Sequence, residues 1–110
     1  MFTFHDRLGP LEMMKEQSGE LKGLEFVVDK KYGTSMYTGY TKDGKRHGMG
    51  EELKKDGDVY EGEYSNGFQE GYGIIIRDGK VKYEGEFEKG KMHGTVVMDK
   101  DTEYEKIALF

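Results

Sequence analysis

The chain has 110 residues, enough for one domain with a modest core, because small chains bury a smaller fraction of their surface. Its formal net charge of −5 disfavours general binding to nucleic acid or anionic membranes, and its lack of cysteine excludes disulfides and thiolate metal sites. The 17 glycines and 8 tyrosines, in a chain that is only 35% apolar, predict turns and aromatic packing rather than aliphatic layers.

Residues 1–20 are predicted to form an N-terminal extension. Pro10 favours the first turn of a short helix that ends near Gly19. The segment lacks the basic and apolar regions of a signal peptide and the Arg-rich character of a transit peptide, so we expect a cytoplasmic protein. Its apolar side chains either cover an open sheet edge or dock into a larger assembly, and the docking candidates are Phe2, Phe4, Leu8 and Leu11.

Residues 21–36 are interpreted as a degenerate half-repeat that caps the sheet. Leu24–Val28 has the composition of a strand, and Asp29–Gly33 is predicted to be the turn that follows it.

A 23-residue period begins at Tyr37 and returns at Tyr60 and Tyr83. Four glycine positions keep the same period, and the last of them is broken by Val96; they are Gly39/Gly62/Gly85, Gly44/Gly67/Gly90, Gly48/Gly71/Gly94 and Gly50/Gly73. Several residue types held in one register indicate repeats. We assign them to residues 37–59, 60–82 and 83–103, of which the third is shortened.

Each repeat is predicted to be a β-hairpin. In the second repeat Tyr60, Gly62 and Tyr64 share one face of a strand, and Ser65–Gly67 supplies a tight turn. In the return strand Ile74 and Ile76 share a face, whereas Ile75 lies on the other. Gly62 is expected to leave space for an aromatic ring of the neighbouring repeat. The third return strand is predicted to span 95–103. Because a lone hairpin is marginal in water, the units must stack into an elongated antiparallel sheet.

Residues 104–110 are predicted to form a last, capping strand with an apolar tip. Ile107, Leu109 and Phe110 either cover the sheet edge or dock to a partner.

The repeats resemble a known family. Tyr60–Gly73 reads YEGEYSNGFQEGYG, which is similar to the MORN (membrane occupation and recognition nexus) repeat, and Tyr83–Gly94 matches that pattern again. Tyr37–Gly50 matches with Thr38 and Tyr40 in place of acidic residues. The resemblance covers residues 37 to about 103. It implies a twisted all-β sheet of hairpins with a groove along one face, and a place in cytoskeletal or ciliary assemblies.

Catalytic and metal sites are disfavoured by the spacing of the repeats. His47 and His93 lie two repeats apart, hence on the order of 19 Å, too far for one metal ion, and we expect them to form structural hydrogen bonds. Glu61 and Glu84 are in register about 10 Å apart, past the usual carboxylate separation of a glycosidase. We therefore expect no enzyme, no cofactor and no metal.

The leading hypothesis is a non-catalytic scaffold or adaptor in a cytoskeletal or axonemal assembly. Its partner is expected to be a helix or extended segment of another protein, held in an aromatic groove formed by Tyr37, Tyr60, Tyr64, Tyr83 and Phe87. One alternative is a phosphoinositide-binding module that uses the basic cluster Lys42, Lys45, Arg46, Lys54 and Lys55, although five acidic residues of the same repeat balance that cluster. Another alternative is an accessory subunit of a large enzyme complex.

Overall fold

The computed structural model describes residues 23–110, and this part of the chain is one open, twisted antiparallel sheet. Its eight strands lie in chain order: β1 (Glu25–Tyr32), β2 (Ser35–Lys42), β3 (Lys45–Leu53), β4 (Val59–Ser65), β5 (Phe68–Arg77), β6 (Lys80–Glu88), β7 (Lys91–Met98) and β8 (Lys106–Leu109). The predicted all-β class is confirmed. The predicted short helix, and the docking candidates Phe2, Phe4, Leu8 and Leu11, lie outside the described residues.

Each of the three repeats is one hairpin, formed by β2–β3, β4–β5 and β6–β7. The hairpins close through Asp43-Gly44, Asn66-Gly67 and Lys89-Gly90, and every one of these residues has a φ between 50° and 92°. Two successive positive φ angles define the type I′ turn, whose twist matches that of the flanking strands. The second position is glycine in all three turns because glycine adopts positive φ without steric cost.

Backbone hydrogen bonds join the second and third hairpin turns to the repeat before each of them. The N–H of Gly67 donates to the carbonyl of Arg46 at 2.8 Å, and the N–H of Gly90 donates to the carbonyl of Gln69 at 2.9 Å. Arg46 and Gln69 occupy the same place in successive repeats. The 23-residue period is therefore also a hydrogen-bonding period.

The predicted turn at Asp29–Gly33 is wrong in its position. Strand β1 continues through Tyr32, and the chain reverses at Gly33-Thr34. Asp29 has a φ of 50°, and the register of β1 against β2 shifts between Val27 and Lys30. The positive φ thus belongs to a β-bulge inside the strand, where a residue without a strand partner is accommodated.

The third return strand is also shorter than predicted, ending at Met98 rather than at residue 103. Asp99 and Asp101 have φ angles of 50° and 64°, which the extended backbone of a strand does not have. The chain turns there and comes back as β8, which pairs with residues 95–98 of β7.

The sheet buries apolar side chains on both faces. One face, called the aromatic face here, carries Tyr37, Tyr60, Tyr64 and Phe87, with Ile75 packed against them. The other, called the opposite face, carries a cluster of Val59, Ile74 and Ile76. The alternation at Ile74, Ile75 and Ile76 follows the period of two that the sequence predicts.

Candidate interaction surfaces

Five aromatic rings form a continuous row across the aromatic face, called the aromatic ladder here. In spatial order they are Tyr32, Tyr37, Tyr64, Tyr60 and Phe87, with neighbouring ring centroids 5.2 to 5.7 Å apart and ring planes near perpendicular. Edge-to-face pairs of this kind contribute about 0.5–1.5 kcal/mol beyond the area that they bury. Tyr37 and Tyr60 are 0% exposed, and Tyr64 and Phe87 are also buried. Four of the five predicted groove residues therefore lie together, packed on one another.

Each ladder tyrosine that begins a repeat lies over a glycine of its own return strand. A Cβ built on Gly73 would lie 2.5 Å from a carbon of the Tyr60 ring, and a Cβ on Gly50 would overlap the ring of Tyr37. A Cβ on Gly62 would lie 2.7 Å from the hydroxyl of Tyr60. The expectation that Gly62 receives a ring of the neighbouring repeat is thus wrong, because the ring comes from the same repeat.

The hydroxyl groups of the ladder tyrosines all have partners inside the sheet. Tyr37 donates to the carbonyl of Tyr40 at 2.6 Å, and Tyr60 donates to that of Glu63 at 2.7 Å. Both acceptor carbonyls lie where the strand pairing shifts its register, between Gly39 and Thr41 in the first repeat and between Gly62 and Tyr64 in the second. Burial raises the pKa of both tyrosines well above the ordinary value, so the hydroxyls remain donors.

Tyr83, the fifth predicted groove residue, stands outside the aromatic ladder and is half-buried. Its repeat has Val96 at the place that is Gly50 and Gly73 in the first two repeats. Val96 is completely buried, and its Cγ2 lies 3.1 Å from the position of a Cβ on Gly85. In the third repeat the isopropyl group of Val96 thus fills the space that Gly50 and Gly73 leave open for the rings of Tyr37 and Tyr60 in the first two repeats.

A buried polar group completes the aromatic face between the first two repeats. Glu52 accepts a hydrogen bond from the hydroxyl of Tyr64 at 2.7 Å and forms an ion pair with Arg46 at 3.1 Å. The guanidinium of Arg46 lies over the rings of Tyr32 and Tyr64, 5.1 and 5.3 Å from their centroids. Burial is the largest single influence on the pKa of Glu52 and raises it. Hydrogen bonds from Ser35 and Tyr64, with the charge of Arg46, outweigh burial and hold that pKa below its ordinary value.

The predicted basic cluster is divided by the sheet. Lys42 and Lys45 flank a hairpin turn, whereas Lys54 and Lys55 lie in the connection between β3 and β4, at the other end of the strands. Arg46 is engaged in the ion pair with Glu52. The five cations therefore do not form one patch.

The two histidines of the repeats lie on the surface near hairpin turns. Nδ1 of His47 accepts a hydrogen bond from the backbone N–H of Asn66 at 3.1 Å, a structural contact of the kind predicted. His93 lies 3.3 Å from a carboxylate oxygen of Glu88. Within residues 23–110 no three or more His, Asp or Glu side chains converge as metal ligands would.

Ion pairs join two of the connections between strands to neighbouring strands. Arg77 forms two hydrogen bonds of 2.8 Å with the carboxylate of Asp58, and these hold the pKa of Asp58 below its ordinary value. Further along the sheet, the ammonium group of Lys100 lies 3.1 Å from the carboxylate of Glu84. These bridges fix the connections to the strands beside them.

The opposite face becomes apolar and exposed toward its C-terminal end. Directly paired residues place Tyr72 beside Glu86, Val97 beside Ile107 and Thr95 beside Leu109. Tyr72 is 48% exposed, Ile107 71% and Leu109 83%. Phe110, the other candidate at this end, is half exposed. We call the group Tyr72, Glu86, Val97, Ile107 and Leu109 the C-terminal patch.

Sequence reasoning missed three participants in the aromatic face: Tyr32, Arg46 and Glu52. Glu52 lies directly opposite both Tyr37 and Tyr60 in the paired strands. The signal available in the sequence was an acidic residue, Glu52, on the same sheet face as Tyr37 and Tyr60, with Arg46 six residues before it.

The family model described as the MORN repeat matches residues 37–59, 60–80 and 83–95, which together cover just over half of the chain. The chain belongs to the MORN repeat family. MORN repeats generally serve as modules for interaction with proteins or membranes. The third match ends at Thr95, directly before Val96, which stands where the first two repeats have Gly50 and Gly73. No curated protein matches the chain. Among the described residues, no helix is long and apolar enough to cross a membrane.

Proposed function

We propose that this MORN protein is a non-catalytic adaptor that holds a helix or extended segment of a partner protein on its C-terminal patch. The observation that carries the proposal is the exposure of Tyr72, Ile107 and Leu109 on one face of the sheet, where the carboxylate of Glu86 lies beside Tyr72. Exposed apolar side chains that lie next to polar groups are typical of interaction surfaces. The aromatic ladder, by contrast, has its rings in contact with one another.

The titratable groups with shifted pKa values support a non-catalytic role. The raised pKa of the hydroxyl of Tyr64 comes from burial and from the nearby carboxylate of Glu52, to which it donates a hydrogen bond. The lowered pKa of Asp58 comes from Arg77. Both arrangements hold strands together, whereas catalytic groups with shifted pKa values face a cleft where a substrate can enter.

The proposed setting is a cytoskeletal or ciliary, in particular axonemal, assembly in the cytoplasm, since small proteins of similar repeats are found there. A non-catalytic accessory subunit of a large enzyme complex is the second setting. The same patch serves either role, because both require a rigid sheet that presents apolar contacts to another protein.

The proposal is tested by affinity purification from the native source with the full chain as bait. Tyr72→Ser and Glu86→Lys change the C-terminal patch, and Phe68→Ser is the matched control, because Phe68 is 55% exposed but lies beside a hairpin turn. We expect the same proteins to be lost with both patch variants and retained with the control. Equal recovery with all variants would place the contact elsewhere, and the absence of any specific protein would contradict the adaptor role.

Membrane binding is a second candidate, favoured by the edge of the sheet where the hairpin turns lie. There Lys42, Lys45, Lys89 and Lys91 flank the exposed ring of Phe68, although Asp43 and Glu88 in the same turns reduce the local positive charge. Flotation with vesicles that contain phosphoinositide, compared with neutral vesicles, tests this. Binding to anionic vesicles that Phe68→Ser weakens would support it, and absence of binding at low salt would dismiss it.

A further inference from the structure

The two edges of the described sheet differ in how they are protected. The edge strand β1 carries Asp29, Lys30 and Lys31 in sequence and has a bulge at Asp29, and charges and bulges are the devices that prevent pairing at an edge. Strand β8 pairs with β7 without any shift of register, and its only charged residue is Lys106. Within residues 23–110 no strand lies on the outer side of β8.

The direction of the free backbone groups of β8 follows from two hydrogen bonds. Gly94 and Phe110 exchange both bonds, at 3.1 and 2.8 Å, which makes them a hydrogen-bonded pair. In an antiparallel ladder such pairs alternate with pairs that are not hydrogen-bonded. The inward-bonded residues of β8 are therefore Lys106 and Ala108. Ile107 and Leu109 direct their N–H and C=O groups to the open side.

We propose that a second copy of this chain pairs with β8 in antiparallel orientation, with the two-fold axis at Ala108. Ile107 then lies opposite Leu109 of the second copy, and Leu109 lies opposite Ile107 of the second copy. The four outward N–H groups and four outward C=O groups, from Ile107 and Leu109 of both copies, then pair with one another in hydrogen bonds. The two sheets join into one continuous sheet of sixteen described strands.

The edge suits a second copy because it is self-complementary. The outward residues are two apart, and a two-fold axis midway between them maps each onto the other. The single charge of the strand, on Lys106, lies opposite Phe110 of the second copy, so no like charges meet directly. The exposed side chains of Ile107 and Leu109 form one apolar stripe with their symmetry mates on the opposite face, and burying part of that stripe favours the pair.

The proposed interface predicts one specific cross-link. Ala108 faces itself across the axis in a pair that is not hydrogen-bonded, where Cα atoms are about 4.5 Å apart, within the range that a disulfide spans. Lys106 is two residues from the axis, so it lies about 13 Å from its symmetry mate, beyond that range. The chain contains no cysteine, so single-cysteine variants are free of background.

The experiment compares Ala108→Cys with the matched control Lys106→Cys under mild oxidation. We expect disulfide-linked dimers of Ala108→Cys and monomers of Lys106→Cys. Sedimentation velocity of the unmodified chain should show a mass that rises from 12.6 kDa toward twice that value as concentration is raised from about 10 µM to about 1 mM, the range in which small interfaces dissociate. Leu109→Pro, which removes an outward N–H and no inward one, should keep the strand content and remain monomeric.

A chain that stays monomeric throughout this range, or equal cross-linking of the two cysteine variants, would overturn the proposal. If Leu109→Pro loses its strand content, the cysteine pair still decides the question, because neither cysteine alters the backbone. The inference rests on the backbone edge of β8, whereas the adaptor role rests on the face of the sheet, and the two proposals share the side chains of Ile107 and Leu109. A monomer whose partner is still lost with Glu86→Lys refutes the dimer alone, and a dimer that captures no protein refutes the adaptor alone.

Discussion

Gly73→Ala should destabilise the protein, although the same change normally stabilises a strand. Alanine loses less backbone entropy than glycine on folding, which favours it by about 0.5–1 kcal/mol in a strand interior. At Gly73, however, the added Cβ would lie 2.5 Å from a ring carbon of Tyr60 and 2.6 Å from its hydroxyl oxygen. The sign of the measured change therefore reports whether the ring lies where the structure places it.

Tyr60 has little freedom to move away. Its ring is 0% exposed, and the rings of Tyr64 and Phe87 pack against it with centroids 5.2 Å away. Its hydroxyl is held by the carbonyl of Glu63 at 2.7 Å. Overpacking a fixed site costs about 1–3 kcal/mol, so after the entropic gain of alanine we expect a net loss of about 1–2 kcal/mol. In a chain of this size that corresponds to a fall in Tm on the order of 5–10 °C.

The change is measured by urea and thermal unfolding followed by circular dichroism. Tyr60→Leu provides the matched background, because it removes the ring atoms nearest to the new Cβ. In that background Gly73→Ala should cost less than in the native sequence, and the difference is the coupling energy of the pair. A Gly73→Ala variant as stable as the native protein, or more stable, would refute the position of the Tyr60 ring over the glycine.

Three further outcomes are expected. Tyr37→Phe should lower the free energy of unfolding by about 1 kcal/mol in urea titrations, because a buried carbonyl loses its donor. The folded-state pKa values of Tyr37, Tyr60 and Tyr64 are raised, so the stability that they contribute is complete below about pH 10 and is lost as pH rises beyond it, at about 1.4 kcal/mol per unit for each tyrosine. Tyrosinate absorbance should therefore rise abruptly with unfolding. The folded-state pKa of Asp58 is lowered by Arg77, so its contribution is present above about pH 4 and is lost as pH falls through the folded value. Asp58→Asn should weaken the acid dependence of the urea midpoint.

The repeated part of the fold is readable from the sequence because its signals are local. Asn66-Gly67 and Asp43-Gly44 specify I′ turns by their tolerance of positive φ, and the alternation of apolar residues along β5 assigns its faces. The bulge in β1 could not be read in the same way. Asp29 followed by Gly33 is typical of a turn, and only the pairing of β1 with β2 decides that the chain continues.

The candidate site was less readable, because it depends on contacts between strands rather than along them. The sequence places Tyr37, Tyr60, Tyr64 and Phe87 on one face, but it does not say whether the rings stand apart around a groove or meet edge to face. That outcome depends on the twist of the strands and on the glycines of the paired strand over which the tyrosine rings pack. Both act between strands. Whether these residues also bind a partner stays a prediction.

The valine at position 96 links the end of the repeat to the place where interaction is proposed. In the first two repeats the ring of Tyr37 or Tyr60 packs over Gly50 or Gly73, and each of these rings is part of the aromatic ladder. In the third repeat Val96 fills the corresponding space, so the aromatic ladder ends at Phe87 and Tyr83 remains outside it. Beyond this point the sheet has no ladder rings of its own, yet Ile107 and Leu109 remain exposed. The repeats thus supply a twisted sheet, and the departure from the repeat leaves apolar surface and, among residues 23–110, an unpaired strand edge at the place where we propose that contacts form.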